Sequence, residues 1–250
     1  MADSNELIKH KVVGAIATIL SIYGIFFLHP FHAGHFTPFS MNHVVYIVYW
    51  VLFFLNQVGF LVFANEANSY VLTHLISFGI LNFIWSYFYS GHHYIVSEII
   101  LLISLVNSLV YYFSVNKYED KVSLEGYLVR FAISWLFYAV FWNGSSIWGH
   151  FNDRLWFRIL CNITIWDFLI IPGLFILLLN DYLVGTDTCI LVFGIALKQL
   201  THKVFALQWI FAFVVLGLLA LLTVASIAGL FRSSSTLIVE VDEEQRPLVT

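Results

Sequence analysis

Val12-Val13-Gly14-Ala15-Ile16-Ala17-Thr18-Ile19-Leu20-Ser21-Ile22-Tyr23-Gly24-Ile25-Phe26-Phe27-Leu28 opens a run that reaches Asn65 without a formal charge. Between Lys11 and Lys117 the chain carries two charged residues, Glu66 and Glu98. A hydrocarbon core about 30 Å thick takes roughly 20 apolar residues of helix to cross. The run from Val12 to Asn65 therefore holds two crossings and the loop between them. That loop, His29-Pro30-Phe31-His32-Ala33-Gly34-His35-Phe36-Thr37-Pro38, has the prolines and glycine of a turn. Only a bilayer tolerates so long a stretch of this kind, and the chain reads as an integral membrane protein.

Composition agrees. The chain is 60% hydrophobic and 10% charged, where soluble domains average about 45–50% and about 25%. Mean hydropathy is +0.87. A net charge of −4 with no basic run argues against nucleic acid as a partner. Cys161 and Cys189 both fall in apolar segments and read as small packing residues rather than a disulfide. The N-terminus is acidic before Lys9 and Lys11, so the first apolar run is expected to stay as an uncleaved span.

Outward from the first run, the pattern predicts an all-α polytopic transmembrane helix bundle of about eight spans. They fall near 11–28, 42–64, 70–90, 94–115, 127–148, 157–180, 183–200 and 204–230. The seventh is interrupted by Asp187 and Lys198. Tyr and Trp near the span ends fit interfacial belts. An even number of spans with a cytosolic N-terminus puts seven Lys/Arg on the cytosolic side (Lys9, Lys11, Lys117, Lys121, Arg130, Arg232 and Arg246). Four (Arg154, Arg158, Lys198 and Lys203) fall on the other side, the bias expected of a cytosolic N-terminus.

That topology gathers His29, His32, His35, His43, His92, His93, His150 and His202 on the non-cytosolic face, leaving His10 and His74 elsewhere. Three readings compete. Imidazoles that titrate near pH 6.5 would respond to an acidic lumen. The spacing of His29, His32 and His35 would suit zinc or copper, although Pro30 breaks helical presentation and no carboxylate or cysteine is near. The bland reading is that histidine is tolerated in aromatic interfacial loops, and it outweighs the other two.

Asp167, in the middle of the sixth span, and Glu98, one turn into the fourth, are candidate intramembrane charges. A carboxylate at that depth costs at least roughly 2.5–3.5 kcal/mol unless protonated or paired, and marks a functional site by default. With Lys198 they suggest a proton relay, against the competing reading of helix-to-helix hydrogen bonds. Asn42, Asn56, Gln57, Asn82, Asn107, Asn143 and Asn162 place amides in or at the ends of spans near Trp50, Trp85, Trp135 and Trp142. Amides and indoles facing inward make an aromatic-walled pocket for an apolar ligand; buried amides holding helices together explain them equally well. Two matches to the weak cholesterol motif, Val110 through Tyr112 to Lys117 and Leu124 through Tyr127 to Arg130, are at the level of chance here. The sequons at Asn143 and Asn162 fall at or inside the membrane.

Glu244 ahead of Leu248-Val249 resembles an acidic dileucine-type sorting signal, against the alternative of a plain acidic tail. A working signal implies a sorting adaptor as partner and a vacuolar membrane as location, with the endoplasmic reticulum or another endomembrane as alternatives. The far side would then be acidic.

Several stretches together resemble a fungal family of multi-spanning membrane proteins known only as a domain of unknown function. They are His35-Phe36-Thr37-Pro38-Phe39, Leu81-Asn82-Phe83-Ile84-Trp85, Phe141-Trp142-Asn143-Gly144 and Lys203 through Phe213 around Gln208-Trp209. The likeness covers nearly the whole chain. It implies a fold and a fungal source, and no activity. The first five spans are more distantly similar to the tryptophan-rich sensory or translocator protein family. Thr37-Pro38 leads into Tyr49-Trp50 in the second span, Asn82-Phe83-Ile84-Trp85 lies in the third, and Trp135 and Asn143 lie in the fifth. The doubled proline of that family's loop is missing here, and three spans are extra. That resemblance implies a translocator-like five-helix bundle over 1–150; the span pattern and tail composition predict three further spans over 151–231 and a disordered acidic cytosolic tail over 232–250. It also implies a pocket for a tetrapyrrole or sterol at Trp50, Asn82, Trp85, Trp135 and Asn143.

The expected function is thus a non-enzymatic membrane protein that binds a planar or amphipathic hydrophobic molecule. The alternative is a proton-coupled small-solute transporter of an acidic compartment using Asp167 and Glu98. No His-Glu-x-x-His or Gly-x-Ser-Gly motif points to an enzyme. No cofactor or metal is expected; the bilayer and a hydrophobic small molecule are the expected partners.

Overall fold

With no water in the bilayer core, each backbone N–H and C=O must be satisfied within its own segment, which makes helices of apolar runs this long. The computed structural model describes residues 2–28, 37–64, 69–115, 123–152, 154–202 and 207–231. They form helices α1 (Ala2–Tyr23), α2 (His43–Phe63), α3 (Ser69–Ser90), α4 (Tyr94–Val115), α5 (Leu124–Ile147), α6 (Leu155–Thr164), α7 (Asp167–Leu179), α8 (Tyr182–His202) and α9 (Gln208–Ile227). A π turn, Gly24–Leu28, extends α1. Among the described residues there is no strand. Eight segments are long and apolar enough to cross a membrane: Glu6–Leu28, His43–Phe63, Tyr70–Ser90, Tyr94–Ser114, Leu124–Ile147, Leu155–Leu179, Tyr182–His202 and Gln208–Ile227. The expected eight-span helical bundle is the observed fold. The seventh span is one continuous helix despite Asp187 and Lys198.

The sixth span departs from the sequence reading. It is two helices: α6 stops at Thr164, Ile165 and Trp166 form a turn, and α7 restarts at Asp167. Pro172 lacks the N–H that the carbonyl of Phe168 would otherwise accept, which weakens the same stretch. Asp167 therefore sits in the first turn of a half-helix, where the helix dipole favours an acid, and not in the middle of a continuous span.

Side-chain bonds between span ends fix an antiparallel alternation. On the face where α1 begins, Lys11 Nζ donates to the Val62 carbonyl at the end of α2 (3.1 Å). There Tyr70 of α3 stacks on Tyr111 of α4 at 4.5 Å, and Ser226 of α9 donates to Asn180 after α7 (2.7 Å). On the opposite face, Tyr89 of α3 meets Ser146 of α5 at 3.0 Å. Gln199 of α8 donates to the Thr37 and Pro38 carbonyls ahead of α2 (3.1 and 2.6 Å). His43, His92, His93, His150 and His202 all lie toward this second face, and His10 and His74 toward the first. His29, His32 and His35 lie outside the described residues.

α5 is the pillar of the bundle. It is buried on every side from Leu128 to Ala139, and packs against α4, α8 and α2. One apolar core runs from Ile25 to Val215, with residues from both sides of position 150. α1 and α3 meet along a seam of small side chains, the usual means of close helix approach in lipid. Ala17 faces Gly79, Gly24 faces Ser86, and Asn82 Nδ2 donates to Ser21 Oγ at 2.9 Å.

Two outcomes test this arrangement. A Cβ at Gly79 would lie 3.0 Å from the Ala17 backbone carbonyl, whereas one at Gly59 meets nothing within 4 Å. Gly79→Val is therefore expected to cost about 1–3 kcal/mol, the range of overpacked cores. Gly59→Val should stay within about 0.5 kcal/mol of the parent; melting in detergent micelles compares them, and equal losses would contradict the seam. In sealed vesicles of a Cys161→Ala, Cys189→Ala background, Lys9→Cys and Leu230→Cys should react with an impermeant maleimide from one side. Gly91→Cys and His150→Cys should react from the other, and any mixing of these pairs would break the eight-span alternation.

Candidate functional site

The spacing of Tyr46, Tyr49, Trp50 and Phe53 puts them on one face of α2, and Phe131, Trp135, Tyr138 and Trp142 recur similarly on α5. The two faces interlock. Tyr49 stacks on Phe131 at 4.0 Å, and Trp50 meets Trp135 edge-on at 4.7 Å. Trp85 of α3 completes the group, its ring 6.0 Å from Trp135. Trp50, Trp85 and Trp135 thus come together, and each is fully buried. Their neighbours are one another's rings, so they act as packing; aromatic pairs of this kind add about 0.5–1.5 kcal/mol each beyond the area they bury. The indole N–H groups of Trp50 and Trp135 have no hydrogen-bond partner among the described residues.

The two asparagines lie apart from the tryptophans. Asn82 serves the α1–α3 seam. Asn143 clamps α5 to α4: its Oδ1 accepts from Ser97 Oγ at 2.6 Å. Its amide donates to the Tyr94 carbonyl at 2.9 Å and to Glu98 Oε2 at 2.6 Å. All its strong hydrogen-bonding capacity is spent on a helix contact, and with the residue buried its sequon is closed off. Glu98 is engaged there, while Asp167 is at the head of α7; no hydrogen bond or ion pair joins the two among the described residues.

Open space flanks the end of α5. On one side lies an apolar cleft of about 170 Å³ between α5 and α6, lined by Phe39, Phe141, Gly144, Trp148, Leu160 and Cys161. On the other is a half-open cavity of about 460 Å³ with a mixed lining that includes Thr37, His92, Tyr94, Ser146, His150 and Asn152. Ser145 and Ser146, adjacent in the chain, line the cleft and the cavity respectively. Trp148 and Leu160 are exposed at the rim of the cleft, which opens it toward lipid. Among the described residues no group of three or more His, Cys, Asp or Glu is placed to hold a metal. Glu244, Leu248 and Val249 lie outside the described residues.

The sequence reading missed a charged cluster beneath the other face. Arg130 Nε donates to Asp181 Oδ2 at 2.5 Å, and Tyr112 OH donates to the same oxygen at 2.7 Å. Asp181 Oδ1 caps α8, accepting from the N–H groups of Leu183 and Val184 at 3.2 and 3.5 Å. Arg130, Asp181 and Asp187 are all nearly inaccessible, at 3%, 1% and 3% exposure. The available signal was three charges in or against predicted spans. Their pairing was hidden because Arg130 and Asp181 are 51 positions apart in the chain.

No curated protein and no solved structure matches the chain. The expected likeness of the first five spans to the translocator family is not shown by these comparisons. Residues 158–249, covering most of α6, all of α7 to α9 and nearly all of the tail, match the model of a family described as fungal protein of unknown function (DUF1774).

Proposed function

We propose that the protein binds a planar or amphipathic hydrophobic molecule, of the tetrapyrrole or sterol class, in the cleft between α5 and α6. The observation that supports this is an apolar cleft beside a larger cavity of mixed lining that carries several polar groups, both around one helix end. Ligand sites combine an apolar wall with a few polar groups that fix orientation. At about 170 Å³ the cleft takes only part of such a molecule. The remainder lies along Trp148 and Leu160 in the bilayer, and the polar end turns toward the Thr37, Tyr94 and His150 side. Trp50, Trp85 and Trp135 then serve as the rigid wall behind α5 and not as ligand contacts.

The location proposed is a vacuolar membrane, with the histidine-bearing face toward an acidic lumen. Its support is in the sequence: the acidic tail with Glu244 and Leu248-Val249, and the clustering of imidazoles.

Quenching of tryptophan fluorescence by protoporphyrin, and energy transfer to a fluorescent sterol, read the proposed site directly. A Cβ at Gly144 meets only Glu98 Oε1, at 3.7 Å. Gly144→Leu is thus tolerated by the backbone and adds side-chain bulk at a position that lines the cleft. Binding is expected to weaken at least about tenfold, or about 1.4 kcal/mol, with the melting temperature retained. Equal affinity in parent and variant, or no binding by the parent, overturns the reading. A fluorescent tag at the C-terminus, compared with and without residues 240–250, checks location. Loss of vacuolar signal on truncation is expected, and an unchanged distribution removes the sorting argument.

A further inference from the structure

Asp181 and Asp187 are both acids sealed within the bundle, yet they are treated differently. Asp181 has four donors, from the backbone of α8, from Tyr112 and from Arg130. Asp187 lies six residues further along α8, about 9 Å deeper at the helical rise. Its Oδ2 is fully buried and has no hydrogen-bond partner among the described residues. Two further hydroxyls are buried without a hydrogen-bond partner among the described residues: Thr188 Oγ1, next along α8, and Tyr49 OH, one turn from Val45 on the α2 face that packs on α8 at Gly194, itself two turns from Asp187.

Charge bookkeeping sharpens the contrast. Arg130 and Asp181 cancel as a pair, so an ionised Asp187 leaves one negative charge uncompensated. The charged and titratable groups facing it are Asp181, Arg130 and Tyr127 of α5, and Tyr49 of α2. On its own helix the nearest is Cys189, and α9 carries no titratable residue at all. An unpaired carboxylate in a hydrocarbon setting is too costly to persist, and nature retains such residues where they hold or pass an ion.

We propose that Asp187, with the hydroxyls of Thr188 and Tyr49, forms an intramembrane site for one small monovalent cation, a proton or a sodium ion. The Arg130–Asp181 pair beside it is neutral as a unit and leaves the charge of Asp187 to be balanced by the bound cation. A single bound cation thus makes the cluster neutral. This site is independent of the cleft at the other end of α5 and uses none of its residues.

The test uses full-length protein in liposomes and in detergent. Infrared difference spectra between H2O and D2O reveal the C=O stretch of a protonated carboxylic acid. Thermal unfolding in sodium chloride against choline chloride reveals a bound sodium ion. A carboxylic acid band that disappears in Asp187→Asn identifies the proton. A saturable, sodium-specific rise in melting temperature that disappears in the same variant identifies sodium. Asp187→Glu keeps the carboxyl and is expected to keep whichever signal the parent shows, which separates loss of the site from loss of the fold. A parent with neither signal, or with signals that Asp187→Asn leaves unchanged, overturns the proposal.

Discussion

In hydrocarbon a polar group must find its partner inside the chain, and the Asp181 carboxylate shows how much structure that requirement can organise. Its four donors come from three helices: Tyr112 ends α4, Arg130 begins α5, and Leu183 and Val184 begin α8. One side chain therefore fixes where three spans stop or start relative to one another. It also ties the first five spans to the last three. Removing one partner of such a pair leaves a buried charge alone, which typically costs about 3–5 kcal/mol, far more than an exposed ion pair contributes. The Asn143 clamp performs the same service at the other end of α5, with Ser97, Tyr94 and Glu98 as partners.

Between these two polar anchors α5 is held by aromatic packing. Indole and phenol rings from α2, α3 and α5 fill the centre of the bundle edge to face, and two tyrosines there still reach a backbone carbonyl. Tyr138 OH donates to Phe39 and Tyr46 OH to Ile25, at 3.0 and 3.3 Å. The same rings that suggested a ligand pocket thus form a wall. Space remains where the wall ends, around Gly144, because a glycine and two serines replace large side chains.

Span boundaries were legible because they depend on the local density of apolar residues, and the seventh was legible in spite of its charges. Its Asp187 looked like a weakness in the span; in the fold it is sealed by α2, α5 and α8, which no local window reveals. The break in span six was hidden for a related reason. Ile163 through Phe168 is as apolar as its surroundings apart from Asp167, and hydropathy does not register a turn. Pairings were the hardest part to read. Asn82 with Ser21 and Tyr112 with Asp181 join residues 61 and 69 positions apart. The tryptophans, in contrast, were expected to face inward, and Trp50, Trp85, Trp135 and Trp142 are all buried.

The cleft and the buried acid cluster share one rigid element and are divided by another. Arg130 and Gly144 are fourteen residues apart on α5, about 21 Å of continuous helix. On the other side, α6 lines the cleft through Leu160 and Cys161, whereas α7 runs on to Asn180 and Asp181. The turn at Ile165 and Trp166 falls between them, so span six presents two segments where span five presents one. Energetic coupling between sites needs an element with two arrangements that both sites bias. α5 runs unbroken between its two polar anchors. The joint between α6 and α7 is where span six, unlike span five, is interrupted between the cleft and Asp181.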